Sequence, residues 1–349
     1  MTKKRVTLKE VAAAANVDPS TVSRALNPKT RALYREELIA RVEKASRELG
    51  YHPNPNARGL RTNRSMMVGV LIPDITNPIF PPIVRGIEDA LEASGYAAIL
   101  SNTDDSHKDR ENRVDWLRSH GVDGLIVGSA HLNDDIIERA GNAGLAMVMV
   151  NRRADHPGIS SVISDDRSGI EEAVNHVRGL GHKRVAFISG PRYLSTGRDR
   201  FEAFKNAANK YELVDTDKLW VEAKFYNEDE GIACARQLVD RDTNFTAIVA
   251  ANDRLAIGAV DALKEIGLHC PRDISVTGFN DMPFADRLQP SLTTVKIQSY
   301  EAGYRASEIL LSEIASSAGN HKVRHEVLPV ELIVRESTGP VNASWTESI

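Results

Sequence analysis

The sequence predicts two structural classes in one chain: an all-α helix-turn-helix head, then an α/β body of two doubly wound parallel-sheet lobes. Three observations carry this. First, charge is divided. Residues 1–64 hold 14 Lys and Arg against 6 Asp and Glu, whereas the rest hold 30 against 42, beneath a total of −4. Second, short helical patterns with caps fill the basic part. Third, from Val68 onward apolar runs of strand character alternate with helical periodicity. A length of 349 residues suits two or three domains, at roughly 150 residues each.

Composition excludes several classes. Hydrophobic residues make up 42% and charged residues 26%, which excludes disorder and collagen. The longest apolar runs, such as Leu145 to Val150, fall far short of the roughly 20 residues a bilayer helix needs. The start, MTKKRVTLKE, has no apolar run behind it, so no secretory signal is expected and the reading is a cytoplasmic chain. Cys234 and Cys270 make neither a disulfide framework nor a metal-ligand spacing, and no metal or cofactor is expected.

In the head, Thr7 to Glu10 has the form of a capping box. Leu8, Val11, Ala12 and Ala15 then recur at helical spacing. Asn16 to Asp18 breaks this helix, Asp18 suits an N-cap and Pro19 the first position of a second helix. Val22, Ala25 and Leu26 face inward there, leaving Ser20, Thr21, Ser23 and Arg24 outward. A third helix, roughly Glu36 to Leu49, packs through Leu38, Val42, Ala45 and Leu49, and Gly50 stops it. Residues 1–50 therefore read as a helix-turn-helix domain whose charge suits a polyanion. Residues 51–64, rich in Pro and Asn, read as a linker.

The body's strand candidates are 68–74, 97–103, 124–129, 146–152, 161–166, 184–190, 247–253, 275–281, 293–297 and 327–334, with helical stretches such as Ile83 to Leu91 and Ile170 to Leu180 between them. Near-continuous apolar strands separated by helices argue for parallel sheets. Ligands bind at the C-terminal ends of such strands. There the chain places Asp74 with Phe80, Asn102, Asn151, Asp165, Thr196 with Arg200, Asn252-Asp253 and Asn280-Asp281, a set suited to vicinal hydroxyls. Each alone also fits a helix cap or turn; recurrence at strand after strand favours a site. No phosphate-binding loop, nucleophile elbow or zinc-protease motif is present, so the chain reads as a binding protein and not an enzyme.

VTLKEVAAAANVDPSTVSRALN followed by ELGYHPNPNARGL resembles the N-terminal head of the lactose-repressor (LacI/GalR) family of bacterial transcription regulators. LGHKRVAFISGP, STGRDRFEAF, AIVAANDRLAIGA and PSLTTV extend the likeness to about Pro340. The body is thereby similar to periplasmic sugar-binding proteins. The resemblance implies a homodimeric repressor on double-stranded DNA, at a near-palindromic operator, controlled by a small-molecule effector between the lobes, a sugar, sugar acid or other carbohydrate derivative. Pro19, Ser20 and Arg24 match base-facing positions. Thr7, Thr21, Ser23 and Asn27 are assigned to phosphates, which position without specifying. Asn56, Ala57 and Leu60 match a hinge helix that forms on DNA, with Leu60 as the wedge that kinks a base step. Arg200 matches the ligand-gripping arginine, with Asn252 and Asn280 from the C-terminal lobe and Phe80 and Asn151 from the N-terminal one; Asp74, Asp165 and Thr196 complete the expected set.

The implied organisation of residues 65–340 is an N-terminal lobe at about 66–163 plus 293–326 and a C-terminal lobe at about 164–292 plus 327–340; residues 341–349 form a flexible tail. Three departures stand out. Tyr34-Arg35 replaces the usual Val-Ser before the third helix, Asn280 stands where many relatives carry aspartate, and Ile297-Gln298 replaces Gln-Pro. Two competitors remain: a pure small-molecule binding protein, and a sugar-metabolising enzyme with an accessory DNA head.

Overall fold

In the computed structural model, residues 6–27, 30–51, 64–104, 107–241, 244–316 and 322–342 are described. Asn56, Ala57, Leu60 and the tail from 343 lie outside them. Contacts divide the chain into one unit ending at Ser65 and another beginning at Met66.

Thr7 caps α1 (Leu8–Ala15). The Glu10 amide donates to Thr7 Oγ1 at 3.4 Å, and the Thr7 amide donates to Glu10 Oε2 at 2.6 Å, the reciprocal box predicted from sequence. Asn16, in the left-handed region at φ 50°, turns the chain. Asp18 caps α2 (Pro19–Ala25) by accepting from the Ser20 amide at 2.8 Å. Hydrogen bonds from Ser20 hold the Asp18 carboxyl below its ordinary range. Arg35 stands at the N-cap of α3 (Glu36–Leu49) without a side-chain cap bond, the direct result of lacking serine there, and Gly50 ends the helix at φ 66°. Val11, Ala12, Ala15, Val22, Ala25, Val42 and Ala45 form one apolar cluster. Leu49, expected inward, is instead exposed, and Ile39 is buried. The 14-residue α3 outruns the 8- and 7-residue helices it packs on, and among the described residues its last turn buries Ser46 while leaving Leu49 outside.

The second unit runs β1 (Met67–Ile72), α4 (Phe80–Ala93), β2 (Ala97–Asn102), α5 (His107–Ser119), β3 (Gly124–Val127), α6 (Asp135–Asn142), β4 (Ala146–Val150) and β5 (Ser160–Ser164). It continues α7 (Asp166–Gly179), β6 (Val185–Ser189), α8 (Ser195–Lys210), β7 (Trp220–Glu222), α9 (Glu228–Arg241), β8 (Ala247–Ala250), α10 (Asp253–Glu265), β9 (Ser275–Asn280) and β10 (Thr293–Lys296). It closes with α11 (Ser299–Ala315), β11 (His325–Leu328) and β12 (Glu331–Ile333). One sheet has the order β11-β5-β4-β3-β1-β2, the other β12-β10-β9-β8-β6-β7. Every ladder is parallel except β10 with β12. These are the two doubly wound lobes that the strand runs predict.

Two boundaries differ from expectation. Thr293 to Lys296, assigned to the N-terminal lobe, pairs with β9 in the C-terminal sheet. Residues 327–334, read as one strand, are two: β11 completes the N-terminal sheet beside β5, while β12 joins β10. Pro329 separates them, and a residue without an N–H suits a break between ladders. The chain therefore passes between the lobes three times, near Asp165, at 297–298 and at 329–330.

The N-terminal lobe is tied by α11 crossing α4. A Cβ on Gly86 would stand 2.1 Å from the Tyr300 carbonyl oxygen, and one on Gly303 would stand 2.0 Å from that of Ile83. Only the missing side chains let these backbones meet. Gly231 and Gly258 play the same part between α9 and α10.

Candidate functional site

Asn77, Ile79, Phe80, Asn151, Arg152, Thr196, Arg200, Tyr226, Asn252 and Asn280 converge on a narrow cleft between the two lobes with a volume of about 20 Å³. β-strand ends supply Asn151, which follows β4, Asn252, which follows β8 and caps α10, and Asn280, which ends β9. Asn252 Oδ1 accepts from the Leu255 amide at 2.8 Å, which fixes the side chain and leaves its NH₂ for other work. Asn151 and Asn280 hold positive φ, 64° and 120°. Non-glycine residues in that region cost energy and concentrate at functional sites. Asn280 Oδ1 is buried with no hydrogen-bond partner among the described residues.

Arg200, 3% exposed, is clamped on three sides. Its Nε donates to Asp166 Oδ1 at 2.8 Å, its Nη1 donates to the Ala251 carbonyl at 2.6 Å, and the guanidinium lies 3.7 Å from the Phe279 ring centroid. Burial pushes the Asp166 carboxyl up, and the neighbouring Arg200 charge opposes that shift. Tyr226 donates to Thr196 Oγ1 at 3.2 Å, and burial raises its phenol. Beneath the cleft, Asp253 accepts from the Met282 amide at 2.8 Å and from the Thr294 hydroxyl. Burial pushes that carboxyl up to about 6.

Of the residues picked out by sequence, Phe80, Asn151, Thr196, Arg200, Asn252 and Asn280 come together here. Asp74 and Asp165 do not. Asp74 is spent on a turn, accepting from the Thr76 amide at 2.8 Å and its hydroxyl at 2.7 Å. Asp165 caps α7, accepting from the Ser168 amide at 3.0 Å and its hydroxyl at 2.7 Å. Both are the cap-or-turn alternative. Sequence reading missed Asn77, Ile79, Arg152 and Tyr226. Arg152 directly follows Asn151 and was within reach of the same strand-end rule; Tyr226 follows β7, a three-residue strand too short to detect.

In the head, Ser20 and Arg24 are exposed, Pro19, Thr21, Ser23 and Asn27 are half-buried, and Val22 and Ala25 point into the core. The Arg24 side chain makes no hydrogen bond or ion pair among the described residues, while its carbonyl accepts from Thr30 Oγ1 at 2.8 Å. A helix with one face anchored and a free guanidinium on the other has the shape of a groove-reading element.

Residues 7–54 match the description of bacterial regulatory proteins of the lacI family, and residues 174–338 match a periplasmic binding protein-like domain. The ribose operon repressor of Halalkalibacterium halodurans is 33% identical over 332 residues, covering 95% of this chain and 97% of its own length. The lac repressor dimer bound to operator and the anti-inducer ONPF is 27% identical at a TM-score of 0.85, over 96% of this chain and 100% of that one. A lacI-family regulator from Enterococcus faecium with bound ribose is 30% identical at a TM-score of 0.69, over 79% and 100%. The head, the two-lobed core and this likeness over nearly the full length together establish that the chain belongs to the lacI family of bacterial regulatory proteins, a DNA-binding transcriptional regulator.

Proposed function

We propose that this regulator is a homodimeric repressor whose hold on a near-palindromic operator is set by a sugar or sugar derivative bound between the lobes. The observation that carries the effector site is the convergence of amides and two guanidinium groups from both lobes on one narrow cleft, with Asn280 Oδ1 buried there and lacking a donor among the described residues. A buried acceptor without a partner costs about 1–3 kcal/mol, which a ligand hydroxyl donating to it removes. Carboxamides offer donor and acceptor side by side, the pattern that vicinal hydroxyls need. Ribose in the names of two relatives supports the sugar class.

On DNA, Arg24 pairs bidentately with guanine, Ser20 and Pro19 face base edges, and Thr7, Thr21, Ser23 and Asn27 take phosphates. Asn56, Ala57 and Leu60 form the hinge helix, with Leu60 as wedge. Phe284, 75% exposed on a left-handed backbone at φ 73°, offers apolar surface to a second copy. The cleft binds without turnover, and the protein works in the cytoplasm. The space between the lobe walls, about 20 Å³, is smaller than the roughly 300–1,000 Å³ of ligand pockets, so the lobes move apart as a ligand enters. The ligand then relieves repression to the extent that it prefers the lobe arrangement with low operator affinity.

The test is fluorescence polarisation with an operator selected from random-sequence DNA, titrated with and without ribose and related sugars. A stabilising sugar at 100 times its Kd adds about 2.7 kcal/mol to the folded state and lowers operator affinity. Failure to select any DNA sequence, or operator affinity indifferent to every sugar that stabilises the protein, refutes the reading.

A further inference from the structure

We propose that Arg153, Asp155, Arg198 and Asp199, on the rim of the cleft, form a closed ring of alternating charge that latches the two lobes shut and makes their closure depend on ionic strength. This rests on the reading of the cleft as the effector site, and assigns that site a regulation of its own. Arg153 Nη1 stands 3.2 Å from Asp155 Oδ1, and its Nη2 stands 2.9 Å from Asp199 Oδ2. Arg198 Nη1 stands 2.6 Å from Asp155 Oδ2, and its Nε stands 2.9 Å from Asp199 Oδ1. Each arginine thus meets both aspartates.

Arg153 and Asp155 follow β4 in the N-terminal lobe, whereas Arg198 and Asp199 lie on α8 of the C-terminal lobe. Two of the four bonds therefore cross the divide. The ring is continuous with the cleft wall: Asn151 and Arg152 precede it on one side, and Thr196 and Arg200 flank it on the other. Two hydrogen bonds cross beside it, from the Arg153 amide to Ser195 Oγ at 2.9 Å and from the Leu132 amide to the Tyr193 carbonyl at 3.1 Å. Elsewhere on the rim, Arg254 approaches Asp74 only to 4.0 Å.

The opposing view is that four partly exposed charges contribute nothing. An isolated exposed pair does often contribute little, because ordering two long side chains offsets a single screened attraction. In the ring, each side chain ordered once makes two bonds, and the side chains are only 27–43% exposed. Two inter-lobe pairs at the strength of exposed pairs shift the open-to-closed ratio roughly fivefold, a shift that salt removes.

The Leu132 and Arg153 amides report closure directly, because their acceptors lie in the other lobe. The experiment is hydrogen–deuterium exchange of the full-length, ligand-free protein at about 0.1 M and about 1 M salt, where the Debye length is about 10 and 3 Å. The Ala251 amide, bonded within one lobe to Ile188, serves as reference. Exchange at both reporters should rise about fivefold in high salt. R198Q, and separately D155N, removes one of the two inter-lobe pairs and should give about a twofold rise at low salt, with a correspondingly smaller further response to salt. Reversing the whole ring, R153D/D155R/R198D/D199R, should restore wild-type protection at low salt. Equal reporter exchange at both salts in the wild type overturns the latch, as does protection unchanged in both single variants. No ligand enters this experiment, so the latch can fail while the cleft still binds its effector, and operator release by sugar tests that separately.

Discussion

Asp253→Asn isolates the buried carboxyl beneath the cleft. Asp253 is 1% exposed, and burial holds its carboxyl at about 6 against an ordinary 3.8. A folded-state value above the unfolded one means that the folded protein binds the proton more tightly. The stability this contributes is fully present below pH 3.8, declines between about pH 4 and 6 and is gone above that. At about 1.4 kcal/mol per tenfold change in proton affinity, the charged carboxylate destabilises the fold at neutral pH by on the order of 3 kcal/mol relative to its protonated form. Asparagine is permanently neutral and keeps both contacts: its oxygen accepts from the Met282 amide and its NH₂ donates to the remaining lone pair of Thr294 Oγ1, which also accepts from the Asp281 amide at 3.3 Å. The assay is urea denaturation of wild type and variant in parallel from pH 4 to 8. Because every other group titrates alike in both, the difference between the curves reads this residue alone. The variant should gain on the wild type by about 3 kcal/mol between pH 4 and pH 7. A difference that stays flat across that range, or that moves against the variant, refutes the argument that desolvation dominates here.

Other expectations follow the same logic. Gly303→Ala forces a methyl to within 2.0 Å of the Ile83 carbonyl, and since backbone cannot step aside it should destabilise by about 1–3 kcal/mol or more, read as a fall in Tm. Arg24→Ala should weaken operator binding by about 1–3 kcal/mol while leaving Tm unchanged; unchanged affinity for selected DNA removes Arg24 from the reading surface. Leu60→Ala should lower operator affinity without affecting folding, and equal affinities in a polarisation titration would discard the wedge. Phe284→Ser should shift sedimentation toward monomer at low micromolar concentration, and a dimer of undiminished strength would place the interface elsewhere.

Much of this architecture was legible because it follows local rules. Thr7 and Glu10 declare α1, Asp18 and Pro19 declare α2, and apolar runs declare buried strands. What escaped were decisions made by packing. Leu49 has the right spacing to face inward, but α3 outlasts its partners. β10 follows a strand pattern that suits either sheet, and only pairing with β9 chooses. Strand-end position found Asn252 and Asn280, yet the same rule offered Asp74 and Asp165, whose oxygens are taken by Thr76 and Ser168 two and three residues beyond. Short polar residues at strand ends serve caps and ligands through the same atoms, so sequence alone leaves that choice open. Tyr226 was missed because the edge strand before it is too brief to show a period.

The triple passage between lobes sets an order of events during synthesis. β5 acquires its outer neighbour only when residues 325–328 arrive, and α4 is covered only when α11 has been made. The N-terminal lobe, although it begins first, cannot close its sheet until residues 166–296 of the other lobe have been translated. Its long-range contacts are thus the last to form, when loop closure is slowest. A ribosome stalled near Lys296 would carry a C-terminal lobe lacking the antiparallel edge strand β12 and the 335–341 segment bonded to Val276 and Leu180, beside an N-terminal sheet whose β5 edge and α4 face are bare. Such unpaired edges are what chaperones bind and aggregates grow from. Premature termination in the last tenth of the gene would therefore damage the first lobe translated as well as the second.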